Sequence, residues 1–399
     1  MRVALNAEGP IQGRRVAITG VGAISCAGVG VQALWDALQS PVAPPSKRIG
    51  EFDSSHLGNA KELRRLDPFT LYALMAADEA WRASGLEGPY EAAGSIVTTG
   101  IGGLQTVLEQ VGVLTAKGAN RVSPFMVPMM MPNAATAAVS MRFGLGGPAE
   151  TVTTACAAGT HAIGNAARLV ASGRSRVALA GGAEAVMVQI AEAGFRNMTA
   201  LSSQDLSRPF DAERDGFVMG EGAGILVLED WDHARERGAT ILAEVIGAAS
   251  TADAHHITAP DPTGAGAIRC MRLALEDANI TPEEVSHINA HGTSTPLNDL
   301  AEAIAVREVF ASHHPPVTSI KGHLGHSLAA AGALEGVVSV LTLLQQVIPP
   351  TAGTTRVDPE IDLDVVIGAP RRAPIEVVLS NSFGFGGHNG SVVLRRVQD

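Results

Sequence analysis

The chain has 399 residues, 46% of them hydrophobic, enough to bury a large core either as two ordinary domains or as one duplicated unit. Its 29 Lys and Arg against 40 Asp and Glu give a formal charge of −11, which argues against a nucleic-acid surface as the main business of the molecule. Cys26, Cys156 and Cys270 are odd in number and far apart, a spacing that suits neither a disulfide framework nor a zinc site and points to a reducing cytoplasm.

Residues 1–13 read as a weakly packed leader without the apolar stretch of a signal peptide. No window reaches about 18 uncharged apolar residues, so no membrane anchor is expected. Short β-rich runs follow at 15–19, 95–99, 176–180, 224–228, 241–246, 285–290, 375–379 and 391–396. Helical stretches separate them, a mixed α/β pattern. The first run, 15–19, leads into glycines. Helices are predicted at 67–84, with Asp67 as cap and Pro68 in the first turn, at 156–172 ending at Gly173, at 264–278, and at 328–346 ahead of Pro349. The Ala-rich helix 156–172 suits a place between two layers. No low-complexity linker divides the chain. A change of texture near residue 240, where Gly238 follows the charged helix 230–237, marks the best boundary between halves 14–239 and 240–397, and no sequence repeat is detectable across it.

Cys156 stands in TACAAGTHAIG, after the strand-like run 151–154 and at the predicted start of a helix. Backbone N–H groups and the positive helix end favour a thiolate there, while Ala157, Ala158 and Gly159 leave room for an acyl thioester. A lone Cys among small residues is also what an inert buried thiol looks like, and Cys26 and Cys270 are read that way. His291 in NAHGTST and His326 in SIKGHLGHSLAAAGALE lie where strands give way to loops or helices. Two neutral imidazoles converging on one thioester carbonyl could stabilise an enolate formed by loss of carboxylate. Lys321 precedes His326, and Glu335 follows on a run from Leu328 to Gly336 with no other charge, so a carboxylate there needs a partner. His233, His313 and His314 are expected at the surface. In NSFGFGGHNG four glycines surround Phe383 and Phe385 at the end of strand 375–379, a setting for close backbone approach and a swinging aromatic, or for a tight turn with two core rings.

Three other patterns fail. Gly20-Val-Gly22-Ala-Ile-Ser25 lacks the last glycine and the acidic residue of a dinucleotide loop. The run from Asp211 to Gly222 has Glu213 and Gly222 where a calcium loop needs other ligands. Gly325-His-Ser327-Leu-Ala329, with Asp358 or Asp362 and His388 downstream, imitates a hydrolase nucleophile elbow, but 321–326 holds two glycines and no β-branched run.

Taken with GGAEAV at 181–186, RPFDAERDGFVMGEGAG at 208–224 and NAHGTSTPLND at 289–299, these strings resemble the β-ketoacyl-acyl-carrier-protein synthases of the thiolase superfamily, specifically the ketosynthase II group of type II fatty acid and polyketide systems. The likeness covers about residues 14–397. It implies an α/β, thiolase-like, five-layered αβαβα fold from two similar halves, and a decarboxylating condensation of a Cys156-bound acyl group with a malonyl unit on an acyl carrier protein. The pathway implied is fatty acid elongation. The alternative is the ketosynthase subunit of a type II polyketide or polyene synthase acting with a chain-length-factor partner.

By the same resemblance His291 and His326 bind the malonyl carbonyl, with Lys321 and Glu335 as supporting pair. The N–H groups of Cys156 and Phe385 form the oxyanion hole, and Phe385 gates the site beside Phe383. Thr293 and Thr295 contact phosphopantetheine, and Ile101 lines the acyl pocket. Lys61, Arg64 and Arg65 are the landing site for an acidic carrier. No metal or resident cofactor is implied, since phosphopantetheine arrives on the carrier. A homodimer, or a heterodimer with a chain-length-factor-like subunit, is expected, with no membrane partner. Two departures stand out. Arg196 is displaced from the place where many members carry an Arg, and the run Met129–Met131 falls near the region of the acyl pocket and dimer interface.

Overall fold

A computed structural model describes residues 13–397, so the predicted leader lies outside the described residues except for Gly13. The first strand, Val16–Ser25, is buried along its whole length and continues through the glycines into which the run 15–19 leads. Packing explains this. A Cβ on Gly20 would stand 2.1 Å from the carbonyl oxygen of Ala80, and one on Gly22 would stand 2.0 Å from that of Ala76. The helix Pro68–Ser84 therefore lies directly on the strand. It begins as its sequence suggests: the Asp67 carboxylate accepts the Phe69 N–H at 3.2 Å, Pro68 occupies the first turn, and Gly85 ends the helix at φ 66°.

Strand order exposes a duplication that the sequence does not show. In the first half Ala149–Glu150, Gly94–Thr98 and Val177–Glu184 run parallel, and Gly222–Asp230 and Val16–Ser25 follow antiparallel. In the second half Val317–Thr318, His287–Asn289 and Val377–Gly384 run parallel, and His388–Arg395 and Ala243–Ala252 follow antiparallel. The half-sheets meet where Val16, Ala17 and Ile18 pair with Val245, Glu244 and Ala243. With the short strand Gly28–Val29 they form an 11-stranded sheet among the described residues.

Helices complete five layers. Pro68–Ser84 and Ala134–Phe143 cover the outside of one half-sheet, Ala265–Asp277 covers the outside of the other with Pro296–Phe310 beside it, and Ala158–Ala171 and Ala329–Gln345 fill the space between. The inner pair touch backbone to backbone: a Cβ on Gly159 would lie 2.6 Å from the Ala333 nitrogen, and one on Gly332 would lie 2.7 Å from the Thr160 nitrogen. Small residues are what permit this approach, and 12 of the 14 residues of Ala158–Ala171 are buried. This is the α/β, thiolase-like αβαβα arrangement.

Two local expectations change. Strand Val377–Gly384 runs past residue 379, so Phe383 is a strand residue and only Phe385–Gly387 form the turn of a hairpin to His388–Arg395. Of the three histidines expected at the surface, only His314 is exposed. His233 Nδ1 pairs with the fully buried Glu229 at 2.6 Å, and His313 Nε2 meets the Val285 carbonyl at 2.8 Å.

Candidate active site

Cys156 lies in a 3₁₀ turn, Ala155–Ala157, and the helix starts at Ala158 rather than at the cysteine. Ala155 holds φ 50°, a left-handed conformation that costs a non-glycine residue on the order of 1–3 kcal/mol. The thiol is 5% exposed and lines a cavity of about 350 Å³. The expected lowering of its pKa does not prevail: burial pushes the thiol up to about 11, against the charge of Lys321 and the backbone N–H groups of Phe385 and Cys156. Desolvating a thiolate outweighs the helix end, so the resting group is a thiol.

His291 and His326 reach the same cavity, with ring centroids 5.4 Å apart and planes at 83°. Burial, and then the charge of Lys321, holds both imidazoles well below their ordinary pKa, with each other's proximity adding to this at His291. Both rings are therefore neutral, as the sequence reading required. Their backbones are fixed independently. The N–H groups of His291 and Gly292 bond the two oxygens of Glu302 at 2.8 and 2.7 Å. His326 donates its N–H to the Val218 carbonyl at 2.7 Å, and its own carbonyl accepts the Gly220 N–H at 2.9 Å, so the segment 218–220 holds it from both sides.

Behind the imidazoles, Lys321 and Glu335 form an ion pair that is 1% and 0% exposed, and Lys321 Nζ also donates to the His291 carbonyl at 2.6 Å. Burial raises the pKa of Glu335 and the charge of Lys321 opposes it. Neither residue lines the cavity.

The hairpin turn brings Phe385 to the sulfur. A Cβ on Gly384 would stand 2.9 Å from the Thr154 carbonyl oxygen and 3.1 Å from the Cys156 nitrogen, so the absence of a side chain there lets the Phe385 N–H approach. The Phe385 ring lies 6.4 Å from Phe195, and Phe383 lies 5.9 Å from His291. Thr293 and Thr295 line the same cavity with their hydroxyl oxygens 2.9 Å apart.

Other predicted residues stand elsewhere. Ile101 is 40% exposed and does not line the Cys156 cavity. Lys61, Arg64 and Arg65 are exposed on and just after the helix Ala60–Leu63, with the Arg65 guanidinium 4.1 Å above the Phe125 ring. Arg196 pairs with Glu192 at 3.1 Å outside the cavity, whose wall carries Thr199 instead. The run Met129–Met131 packs on the loop after Ile101, where the Gly103 N–H bonds the Met130 carbonyl at 3.2 Å. Ser327 is 2% exposed and follows the helical turn Lys321–Leu324, which removes the strand a nucleophile elbow needs.

Three buried carboxyl groups escaped the sequence reading. Asp299 and Glu302 lie on one side of helix Pro296–Phe310 and hold the loop 291–294. Asp299 accepts from Thr293 and Phe210 N–H groups at 2.9 and 2.8 Å, and burial raises Glu302 to about 8. Glu184, raised to about 7 by burial, lies within electrostatic reach of Cys156. For Glu184 in GGAEAV and Glu302 in LAEAIAV, a lone acidic residue in an apolar run is the available signal, and Asp299 in TSTPLND has none.

Comparison with known proteins follows this geometry. Residues 39–234 match the β-ketoacyl synthase N-terminal domain and residues 242–355 the corresponding C-terminal domain. A Synechocystis protein, 3-oxoacyl-[acyl-carrier-protein] synthase 2, is 41% identical over 97% of this chain and 99% of its own length. The chain belongs to the β-ketoacyl synthase family. It is accordingly an enzyme of the acyltransferase kind. Among solved structures, the ishigamide ketosynthase/chain length factor superposes with a TM-score of 0.91 at 33% identity, covering 97% of this synthase and 100% of that chain. A type II polyketide ketosynthase, in complex with its acyl carrier protein and bound to the hexaketide, superposes with a TM-score of 0.87 at 30% identity, covering 97% and 100%.

Proposed function

We propose that this synthase accepts an acyl group on Cys156 and condenses it with malonyl-acyl-carrier protein, with loss of CO₂, in fatty acid elongation. The observation that carries the reading is the convergence of Cys156 and two neutral imidazoles, His291 and His326, on one cavity. The half 14–239 supplies the nucleophile and the half 240–397 the histidines.

In the first step the Cys156 sulfur attacks the acyl thioester. A new thioester forms, the bond to phosphopantetheine breaks, and the thiol proton leaves with the carrier's sulfur. In the second step an imidazole N–H from each of His291 and His326 bonds the malonyl thioester carbonyl, so that C–C cleavage releases CO₂ and leaves an enolate. The enolate carbon attacks the Cys156 thioester. The N–H groups of Cys156 and Phe385 take the developing oxyanion, and collapse expels the Cys156 sulfur, which takes up one proton from solvent, the net proton that the decarboxylating condensation consumes. A thiol pKa of about 11 favours that last protonation. Lys321, itself held by Glu335, fixes the His291 backbone, and its charge helps keep both imidazoles neutral.

Thr293 and Thr295 receive phosphopantetheine, which the carrier brings, and Phe385 gates the cavity beside Phe383. By the family resemblance Ile101 lines the acyl pocket, which then extends beyond the cavity that Cys156 and the histidines share. Lys61, Arg64 and Arg65 receive the acidic carrier, and a homodimer, or a heterodimer with a chain-length-factor-like subunit, is the working form. Among the described residues no helix is long and apolar enough to cross a membrane, and we place the enzyme in the cytoplasm. The 41% identity to a 3-oxoacyl-[acyl-carrier-protein] synthase 2, against 33% for the ishigamide ketosynthase/chain length factor and 30% for the type II polyketide ketosynthase, supports elongation over the type II polyketide reading.

Intact-mass analysis with acyl carrier proteins of graded chain length, followed by malonyl-carrier protein, tests the proposal. An acyl adduct on Cys156 and a carrier-bound 3-oxoacyl product are expected. Acylation at another residue, or an adduct that never condenses, would overturn it.

A further inference from the structure

Glu184 ends the strand Val177–Glu184 and is fully buried. Its Oε1 accepts the Thr99 hydroxyl at 2.8 Å, and its Oε2 accepts the N–H of Gly100 at 2.8 Å and that of Ala329 at 3.3 Å. The Ile101 N–H bonds the same carboxyl. One side chain thus ties the stretch 99–101 to the start of helix Ala329–Gln345.

That helix start is unusual. Leu328, at φ 47° and ψ −116°, precedes it, and no side chain of its own caps it. A leucine in this conformation is strained and persists only where its surroundings hold it. Glu184 supplies what the local sequence lacks, since its Oε2 takes one of the first N–H groups of the helix from a different strand. The space is filled closely: a Cβ on Gly100 would meet Glu184 Oε2 at 2.8 Å, and one on Gly182 would meet the Ala329 carbonyl oxygen at 2.7 Å. The residue so held matters, because Leu328 lines the cavity of Cys156 and packs in the same apolar cluster as the nucleophile.

We infer that Glu184 is a positioning residue for acyl acceptance, which holds Leu328 against Cys156 and so shapes the wall that an incoming acyl chain meets. The inference rests on the proposed role of Cys156. Its path runs through Leu328 and the 99–101 stretch, whereas the backbones of His291 and His326 are anchored by Glu302 and Val218.

The test measures Cys156 self-acylation by short-chain and long-chain acyl-carrier proteins, by intact mass, in the wild type and in Glu184→Ala and Glu184→Gln. Glu184→Ala should raise the half-saturating concentration of the long-chain carrier by roughly 10-fold or more, with a smaller change for the short chain. Glu184→Gln should recover most of the loss, because its amide oxygen still accepts from Gly100 and Ala329, while the Thr99 hydroxyl, which donates to Oε1 in the wild type, turns to accept from the NH₂. If Glu184→Ala does not fold, Leu328→Ala, which removes the held side chain while keeping Glu184, should give the same chain-length-dependent loss. Equal loss at every chain length, or none, in whichever of these variants folds overturns the inference. A wild-type enzyme that does not acylate Cys156 refutes the proposed function instead, and the two failures are separate.

Discussion

Lys321 Nζ donates to the carbonyl oxygen of His291 at 2.6 Å, so the cation that precedes His326 in the chain is fastened to the backbone of the other imidazole. Its charge helps to hold both rings neutral, and among the described residues it is the ion-pair partner of Glu335, deep in the protein. Lys321→Met should therefore do two things. Leaving Glu335 unpaired should cost roughly 3–5 kcal/mol, read as a lower thermal midpoint that Lys321→Met combined with Glu335→Leu partly recovers. Removing the cation should also raise the pKa of both histidines, moving the acidic limb of the decarboxylation pH profile upward. An unshifted limb would separate Lys321 from the imidazoles.

His287 supplies a prediction about acid stability. The ring is 1% exposed, neither nitrogen has a hydrogen-bond partner among the described residues, and burial lowers its pKa from 6.5 to about 3. Above pH 6.5 the group is neutral whether the chain is folded or not, and no penalty applies. Below 6.5 the unfolded chain takes up a proton that the folded one refuses, so stability should fall by about 1.4 kcal/mol per pH unit until pH approaches 3. His287→Leu should flatten this slope in denaturant titrations between pH 6 and pH 4. Parallel slopes for variant and wild type would contradict the assignment.

Carrier docking gives a third expectation. Lys61 and Arg64 are exposed and unburdened by the chemistry, so Lys61→Glu with Arg64→Glu should raise KM for malonyl-carrier protein by roughly 10-fold, with kcat changed far less. The difference from wild type should shrink as salt is added, because exposed charges are screened over about 10 Å at 0.1 M ionic strength. A KM that does not move would place the carrier elsewhere.

The site was legible where one string carries both the reactive atom and its frame. Cys156, His291, His326, Lys321 and Glu335 were named from motifs, and the structure brings the first three to one cavity with the other two behind it. Helix Pro68–Ser84 could be read from Asp67, Pro68 and Gly85, because caps are local signals. What could not be read depends on distant chain segments. Gly20 and Gly22 look like strand breakers until helix Pro68–Ser84 lies across them, and Phe383 looks like a loop residue until His388–Arg395 pairs with it. The thiol of Cys156 was expected to be acidified by a helix end, but burial, which a motif does not report, decides the direction. Glu184 acts across the fold on Gly100 and Ala329, far away in the chain, so its spacing carries no trace of the contact, whereas Glu302 reaches back only to the loop at His291 and Gly292. The duplicated strand order leaves no sequence repeat, since the same topology tolerates different side chains.

On the proposed mechanism His291 and His326 together release CO₂ whether or not Cys156 carries an acyl group. Replacing Cys156 by Gln puts a neutral amide where the thioester would form and removes the nucleophile. The measurement is the mass of the group on malonyl-carrier protein after incubation with folded Cys156→Gln enzyme. Conversion to acetyl-carrier protein without chain extension is predicted, and adding His326→Ala should abolish it. Malonyl-carrier protein recovered unchanged from folded Cys156→Gln enzyme would contradict the account.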